Sequence, residues 1–142
     1  MNSGYLQCAC PFDGWLVNEI CPKLYGCYKI VDKPWAGWYE AKEECEAMTG
    51  RLAVLDTHAK WAALREKLPQ DGKRYWLGLH RDPGHRVLPY WDHETRFLYQ
   101  RWMPINPSLA PIVESCGIVR NEAWYYDVCH TNWIEGYICE IV

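Results

Sequence analysis

Asp92, His93 and Glu94 are three neighbouring residues whose side chains could bind a metal ion or exchange protons in catalysis. Consecutive residues in a strand or a tight turn point in different directions, so these side chains would not converge on one centre. We therefore interpret this stretch as a solvated turn.

Cys8-Ala9-Cys10 and Cys129-His130 contain residue types that bind zinc. A structural zinc site needs four ligands, and a second close Cys or His pair is missing beside each segment. The chain also has eight cysteines in 142 residues, which favours disulfides formed in an oxidising compartment. We therefore expect no metal cofactor, and a protein that is secreted or is the extracellular portion of a larger one.

The sequence motifs of common enzymes are missing from the chain. It has no Gly-x-Ser-x-Gly, no His-Glu-x-x-His and no phosphate-binding loop, which would mark hydrolases and nucleotide-binding enzymes. One segment has Asn two residues before Ser, but Pro107 lies between Asn106 and Ser108 and bars N-glycosylation. The sequence therefore predicts a binding domain rather than an enzyme.

The composition argues against nucleic acid as a partner and against insertion into a membrane. A net charge of -3 gives no positive field to attract nucleic acid, and no apolar stretch approaches the ~20 residues that span a membrane. The first residues also lack the features of a signal peptide. Nine Trp and ten Tyr accompany only two Phe. Trp and Tyr are enriched at binding surfaces, although core packing would account for most of them.

The hydrophobic pattern predicts a single α+β domain. The expected helices are 38–48, closed by Gly50 as a left-handed cap, and a second helix after Asp56 or Thr57 with the apolar face Trp61, Leu64 and Leu68; the expected strands are 51–55, 75–79, 90–91, 97–99, 117–119, 123–126 and 137–140. Residues 1–20 are read as a cysteine-containing arm or hairpin. The stretch from Trp102 to Cys116 has three prolines and no periodicity, which is typical of a functional loop.

Several short motifs together resemble the C-type lectin-like family. They are Cys27-Tyr28, a helix with Cys45, the strand Trp76-Leu77-Gly78-Leu79, then Trp102, Cys116, Trp124, Cys129 and the terminal Tyr137-Ile138-Cys139-Glu140. The match covers residues 21–142. The resemblance implies an α+β fold of two helices and small antiparallel sheets with a long irregular ligand loop, braced by disulfides.

The resemblance also implies a pairing of the cysteines. Cys45 would pair with Cys139, and Cys116 with Cys129. Cys8, Cys10, Cys21 and Cys27 allow three pairings by counting alone. Family members with extra N-terminal cysteines are often disulfide-linked dimers, so Cys8 or Cys10 bridging two chains stays an alternative.

Relatives that bind sugar through calcium share two motifs that this chain changes. Glu-Pro-Asn or Gln-Pro-Asp in the long loop is matched by Asn106-Pro107-Ser108, and Trp-Asn-Asp before the next cysteine is matched by Trp124-Tyr125-Tyr126. A further ligand is matched by Glu114. Calcium takes six to eight oxygens, so the matching positions predict no tight calcium site. Asp127, one residue beyond the second motif, leaves a weak calcium site as an alternative.

The resemblance favours glycans or glycoproteins as partners, bound without calcium. We expect Asn106, Ser108, Glu114 and Asp127 to bond sugar polar groups and Tyr125 and Tyr126 to stack on sugar rings. The rival interpretation is a protein-binding or structural module that binds no sugar. In that case the two tyrosines and the apolar residues of the loop would form the contact patch; these are Met103, Ile105, Leu109 and Ile112.

Overall fold

The computed structural model describes residues 27–82, 89–92, 99–105 and 114–141, and the backbone of residues 16 and 17. None of the helices within these ranges is long and apolar enough to cross a membrane.

The strands form one mixed sheet. They are β1 Leu16–Val17, β2 Cys27–Asp32, β3 Arg51–Leu52, β4 Arg74–Arg81, β5 Tyr90–Trp91, β6 Ser115–Arg120, β7 Ala123–Val128 and β8 Gly136–Ile141. The main path runs β1-β2-β8-β4-β6-β7, with β3 paired to β8 and β5 to β4. The α+β fold class is confirmed. The expected small sheets are joined in the described part of the chain because β8 pairs antiparallel with β2 and parallel with β4.

The first helix, α1, spans Trp38–Ala47 and buries Trp38, Ala41 and Cys45. These positions recur at helical spacing, so they form one apolar stripe. The residue in the left-handed region after α1 is Thr49, with φ 60°, and the prediction that Gly50 holds this position is wrong. The Thr49 amide donates to the Glu46 carbonyl and the Gly50 amide to the Cys45 carbonyl. This is the Schellman pattern, in which Gly50 is the second residue beyond the cap.

The second helix, α2, spans His58–Arg65, and the side chain of Thr57 accepts a hydrogen bond from the Lys60 amide. Of the two predicted caps, Thr57 is therefore the one used. Trp61 and Leu64 are buried on this helix. Leu68 is also buried but follows the end of the helix.

Two apolar clusters lie on the two faces of the sheet, because side chains alternate along each strand. On β4, Tyr75, Leu77 and Leu79 belong to the cluster that includes Trp61 and Leu64 of α2. Trp76, between them, belongs to the cluster that includes the buried face of α1. Each helix thus covers one face of the sheet.

Two disulfides brace this framework with the pairing that the resemblance implies. Cys45–Cys139 joins α1 to β8, with 5.4 Å between the Cα atoms. Cys116–Cys129 joins β6 to the turn after β7, with 5.0 Å between the Cα atoms. Cys27 is also disulfide-bonded, while Cys8, Cys10 and Cys21 lie outside the described residues.

Candidate functional site

Glu114 stands at the end of the long loop, one residue before β6, and contacts two other elements. Its Oε2 atom lies 2.7 Å from Nε2 of His80 on β4, and it accepts a hydrogen bond from the hydroxyl of Tyr39 on α1. His130, in the turn closed by the Cys116–Cys129 disulfide, stacks on Tyr39 with 5.8 Å between ring centroids. We call Tyr39, His80, Glu114 and His130 the Glu114 cluster.

Ring packing fixes the inner part of the Glu114 cluster. His80 is 7% exposed, stacks on Trp38 at 5.1 Å and meets the edge of Tyr90 at 4.9 Å between centroids. The register between β4 and β6 sets the position of His80, because His80 pairs directly with Cys116. The outer part is open to solvent, since Tyr39 is 39% exposed and His130 is exposed.

The electrostatics of the cluster favour an ionised carboxylate. Burial alone would raise the pKa of Glu114, but the hydrogen bonds from Tyr39 and His80 and the charges of His80 and His130 outweigh it and lower the pKa. Burial, followed by the hydrogen bond to Glu114, raises the pKa of the Tyr39 hydroxyl. The cluster therefore presents a charged acceptor beside two partly open rings, an arrangement that can bind hydroxyl groups.

Tyr125 and Tyr126, predicted to line one site, lie on opposite faces of β7. Tyr125 packs against the cluster of α1, whereas Tyr126 packs against the cluster of α2. Burial raises the pKa of the Tyr126 hydroxyl to about 12, and the Arg81 charge offsets part of this rise. The described residues therefore do not place both rings on one surface.

Asp127 lies in β7, one residue before the strand ends. Its Oδ1 atom accepts from the Val128 amide at 2.7 Å and from the Thr131 hydroxyl at 3.1 Å, and its Oδ2 atom accepts from the Trp133 indole N–H at 3.2 Å. This carboxylate thus orders the turn that follows β7. The other two predicted sugar-binding residues, Asn106 and Ser108, lie outside the described residues.

The sequence pattern of the family described as the lectin C-type domain matches residues 36–141. The chain belongs to this family. The lectin domain is also similar to a hepatic lectin of Gallus gallus, 27% identical over 104 residues, which are 72% of this chain and 49% of that protein. The chain therefore spans about half the length of that curated relative.

Solved structures share the fold of the lectin domain. The C-type carbohydrate-recognition domain of cow CD23, solved in the presence of a GlcNAc2Man3 oligosaccharide, superposes with a TM-score of 0.71 at 20% identity, covering 92% of this chain and 94% of that one. The C-type lectin domain of murine dendritic cell inhibitory receptor 2, in complex with N-glycan, gives 0.69 at 21% identity, covering 94% and 98%. Human lithostathine gives 0.67 at 20% identity, covering 96% and 93%.

Among the described residues of the lectin domain, the positions that match calcium ligands in the family do not bring several oxygens together. Calcium needs several converging oxygens. The Glu114 carboxylate is already bonded to Tyr39 and His80, and the rings of Tyr125 and Tyr126 diverge.

One group of potential metal ligands occurs in the described part of the lectin domain. It comprises His80, Cys116 and Cys129, with ligand atoms within 4.8 Å of one another. The two sulfur atoms are joined in a disulfide, so they offer no thiolate to a metal.

Sequence reasoning missed three members of the Glu114 cluster, Tyr39, His80 and His130. Tyr39 and Glu114 are 75 positions apart, and no local pattern connects them. His80 could have been found, because strand alternation after Trp76 places Gly78 and His80 on the same face.

Proposed function

We propose that this lectin domain binds glycans extracellularly at a site that works without calcium. The observation that carries the proposal is the state of Glu114: the carboxylate at a calcium-ligand position is held by Tyr39 and His80 instead. Glycan binding is supported by membership of the lectin C-type domain family. It is also supported by two structural neighbours solved with oligosaccharide or N-glycan.

The Glu114 cluster supplies the interactions that a sugar needs. A carboxylate oxygen has more than one lone pair, so Glu114 can accept a sugar hydroxyl besides its present donors. The open edge of Tyr39 and the ring of His130 offer apolar contact beside it. The long loop ends at Glu114, which brings Asn106 and Ser108 into the proposal as further polar contacts. Tyr125 and Asp127 share the β7 face nearer the cluster and belong to the proposed site, whereas Tyr126 packs on the opposite face and is left out of it.

A glycan array tests this proposal. Wild-type protein should bind the same glycans in calcium and in chelator. Glu114→Gln removes the charge but keeps the shape, and should weaken binding by about tenfold, since hydrogen bonds to a charged group contribute about 1.5–3 kcal/mol. Glu122→Gln is the matched control, because Glu122 is exposed in the turn between β6 and β7, at the opposite end of that hairpin.

Three outcomes would contradict parts of the proposal. Binding lost in chelator would show that calcium is needed. Equal binding by Glu114→Gln and wild type would show that the cluster is not the site. The absence of any bound glycan would favour the rival protein-binding module, although two of its predicted patch residues are buried wholly or in part: Met103 is 5% exposed and Ile105 packs against the core.

We further propose that the domain carries no enzymatic activity and is secreted or forms the outer part of a larger protein. A disulfide-linked homodimer through Cys8 or Cys10 is the alternative to pairing of these cysteines within one chain. The cysteine content supports an oxidising location. Electrophoresis without and with reductant tests the dimer, because an interchain disulfide doubles the apparent mass only without reductant. A monomer band in both lanes would contradict it.

A further inference from the structure

Two tryptophans expose their indoles outside the Glu114 cluster. Trp35, between β2 and α1, is 70% exposed, and Trp133, between β7 and β8, is 54% exposed. By contrast, five other tryptophans are at most 2% exposed; these are Trp38, Trp61, Trp76, Trp91 and Trp124. The exposed indoles contribute little burial to folding, so other observations must explain their presence.

The backbone at Trp35 opposes any side chain. Its φ is 77°, in the left-handed region where a Cβ atom is penalised and glycine is not. Because the side chain is mostly exposed, its burial adds little to the stability of the fold, and folding does not explain why this residue is a tryptophan. Residues held in such conformations cluster at ligand-binding sites.

Trp133 is held in place by its surroundings. Its indole N–H donates to Asp127 at 3.2 Å, and Asp127 is itself fixed by the Thr131 hydroxyl. The Trp133 carbonyl accepts from Nη2 of Arg74 at 2.7 Å. An aromatic ring that is already oriented loses less conformational entropy when a ligand stacks on it.

The two tryptophans lie on adjacent stretches of chain that run antiparallel. The Lys33 amide donates to the Glu135 carbonyl at 3.1 Å, and the Trp38 amide donates to the Cys129 carbonyl at 2.9 Å. Trp35 and Trp133 both lie between these two pairings. Trp35 and Trp133 therefore lie on neighbouring segments of the chain, and both side chains are exposed.

We propose that Trp35 and Trp133 form a stacking platform for a β-linked oligosaccharide. In such a sugar, equatorial substituents leave axial C–H groups on the ring faces, and these apolar faces pack on an indole. Asp127 has lone pairs left to accept sugar hydroxyls at the edge of Trp133. The platform includes none of the four residues of the Glu114 cluster, so it can bind sugar even if that cluster does not; Asp127 is the residue that both proposals use.

Titration of ¹⁵N-labelled full-length protein with chitotetraose, followed by NMR, tests the platform. The indole N–H signal of Trp133, assigned with Trp133→Phe, should shift and saturate. Trp133→Ala and Trp35→Gly should each weaken binding by about fivefold or more, which is the scale of one aromatic contact. Trp133→Phe keeps a ring and should bind better than Trp133→Ala.

Two controls separate binding from folding. Trp35→Gly relieves the left-handed backbone, so its melting temperature should not fall even though binding weakens. Tyr99→Ala removes another aromatic residue that is 65% exposed and should bind like wild type. An unshifted Trp133 signal, or undiminished binding by Trp35→Gly, would overturn the platform. Equal binding by Glu114→Gln and wild type on the array, together with an intact Trp133 shift, would overturn only the proposal for the Glu114 cluster.

Discussion

The Tyr39 hydroxyl donates a hydrogen bond to the Glu114 carboxylate across 75 positions of the chain. This contact connects the outer side of α1 to the end of the long loop. Together with the bond to His80, it stabilises the ionised form of Glu114, whose pKa is lowered in spite of burial. The contact therefore couples the stability of the domain to pH.

Acid should destabilise the domain through carboxylates of this kind. A glutamate whose pKa is lower in the folded protein contributes stability above its unfolded pKa, and loses it as the pH falls through the folded pKa. Glu44 and Glu135 have lowered pKa values as well. Urea denaturation should show a free energy of unfolding that decreases between about pH 5 and pH 3. Glu114→Gln should have a shallower slope, and an unchanged slope would contradict the role of this carboxylate.

Glu140 should contribute strongly to the stability of the domain. It is 2% exposed and accepts from the Val54 amide at 2.7 Å, from Lys60 at 3.0 Å and from Arg51 at 3.2 Å. Removing one member of a buried ion pair leaves an uncompensated charge, so Glu140→Ala should cost about 3–5 kcal/mol in unfolding free energy. Urea denaturation measures it. Glu122→Ala, at an exposed turn, is the control and should change it by less than about 0.5 kcal/mol.

The two disulfides should contribute different amounts to the free energy of unfolding. Cys45 and Cys139 are 94 positions apart, and Cys116 and Cys129 are 13 apart. By loop-closure entropy, replacing the first pair with alanine should cost about 4–5 kcal/mol and the second about 3 kcal/mol. Guanidinium denaturation of the two double variants gives the order. A larger loss from the Cys116–Cys129 variant would mean that native-state contacts, rather than chain entropy, dominate.

Gly136 should tolerate no side chain. A Cβ atom built there would lie 2.1 Å from the Val31 carbonyl oxygen, on the paired strand β2. Backbone hydrogen bonds hold β2 and β8 together, so neither strand can shift to relieve this clash. Gly136→Ala should therefore lower the free energy of unfolding by more than about 3 kcal/mol. Gly72→Ala is the comparison, since its Cβ has room and only its φ of 81° is unfavourable, which costs about 1–2 kcal/mol. Thermal melts rank the two variants.

Local patterns predicted the elements well. The stripe of Trp38, Ala41 and Cys45 follows from helical spacing, and the core strand β4 was predicted within residues 75–79 and extends to Arg74–Arg81. The expected strand 51–55 is shorter, Arg51–Leu52. Residues 53–55 stay buried, but the Ala53 amide donates to the Ile138 carbonyl and its own carbonyl accepts from Gly78, outside a regular ladder.

The candidate site was less accessible to sequence reasoning. Tyr125 and Tyr126 are neighbours in a strand, and strand alternation alone separates their side chains, so this part could have been anticipated. The Tyr39–Glu114 contact could not, because it depends on how α1 and the long loop meet in three dimensions. Nor does the tryptophan count distinguish the exposed Trp133 from buried residues such as Trp76, since burial is a property of the packed domain.

Both flanks of the long loop rest on the same strand. Ile105 forms a parallel bridge with Trp124, and Ser115 pairs with Val128 at the other end of β7. The Cys116–Cys129 disulfide lies one position beyond this second pairing. The two ends of the segment 106–113 are therefore anchored on a single strand, so a replacement loop of any sequence would have to span the distance that β7 sets between them.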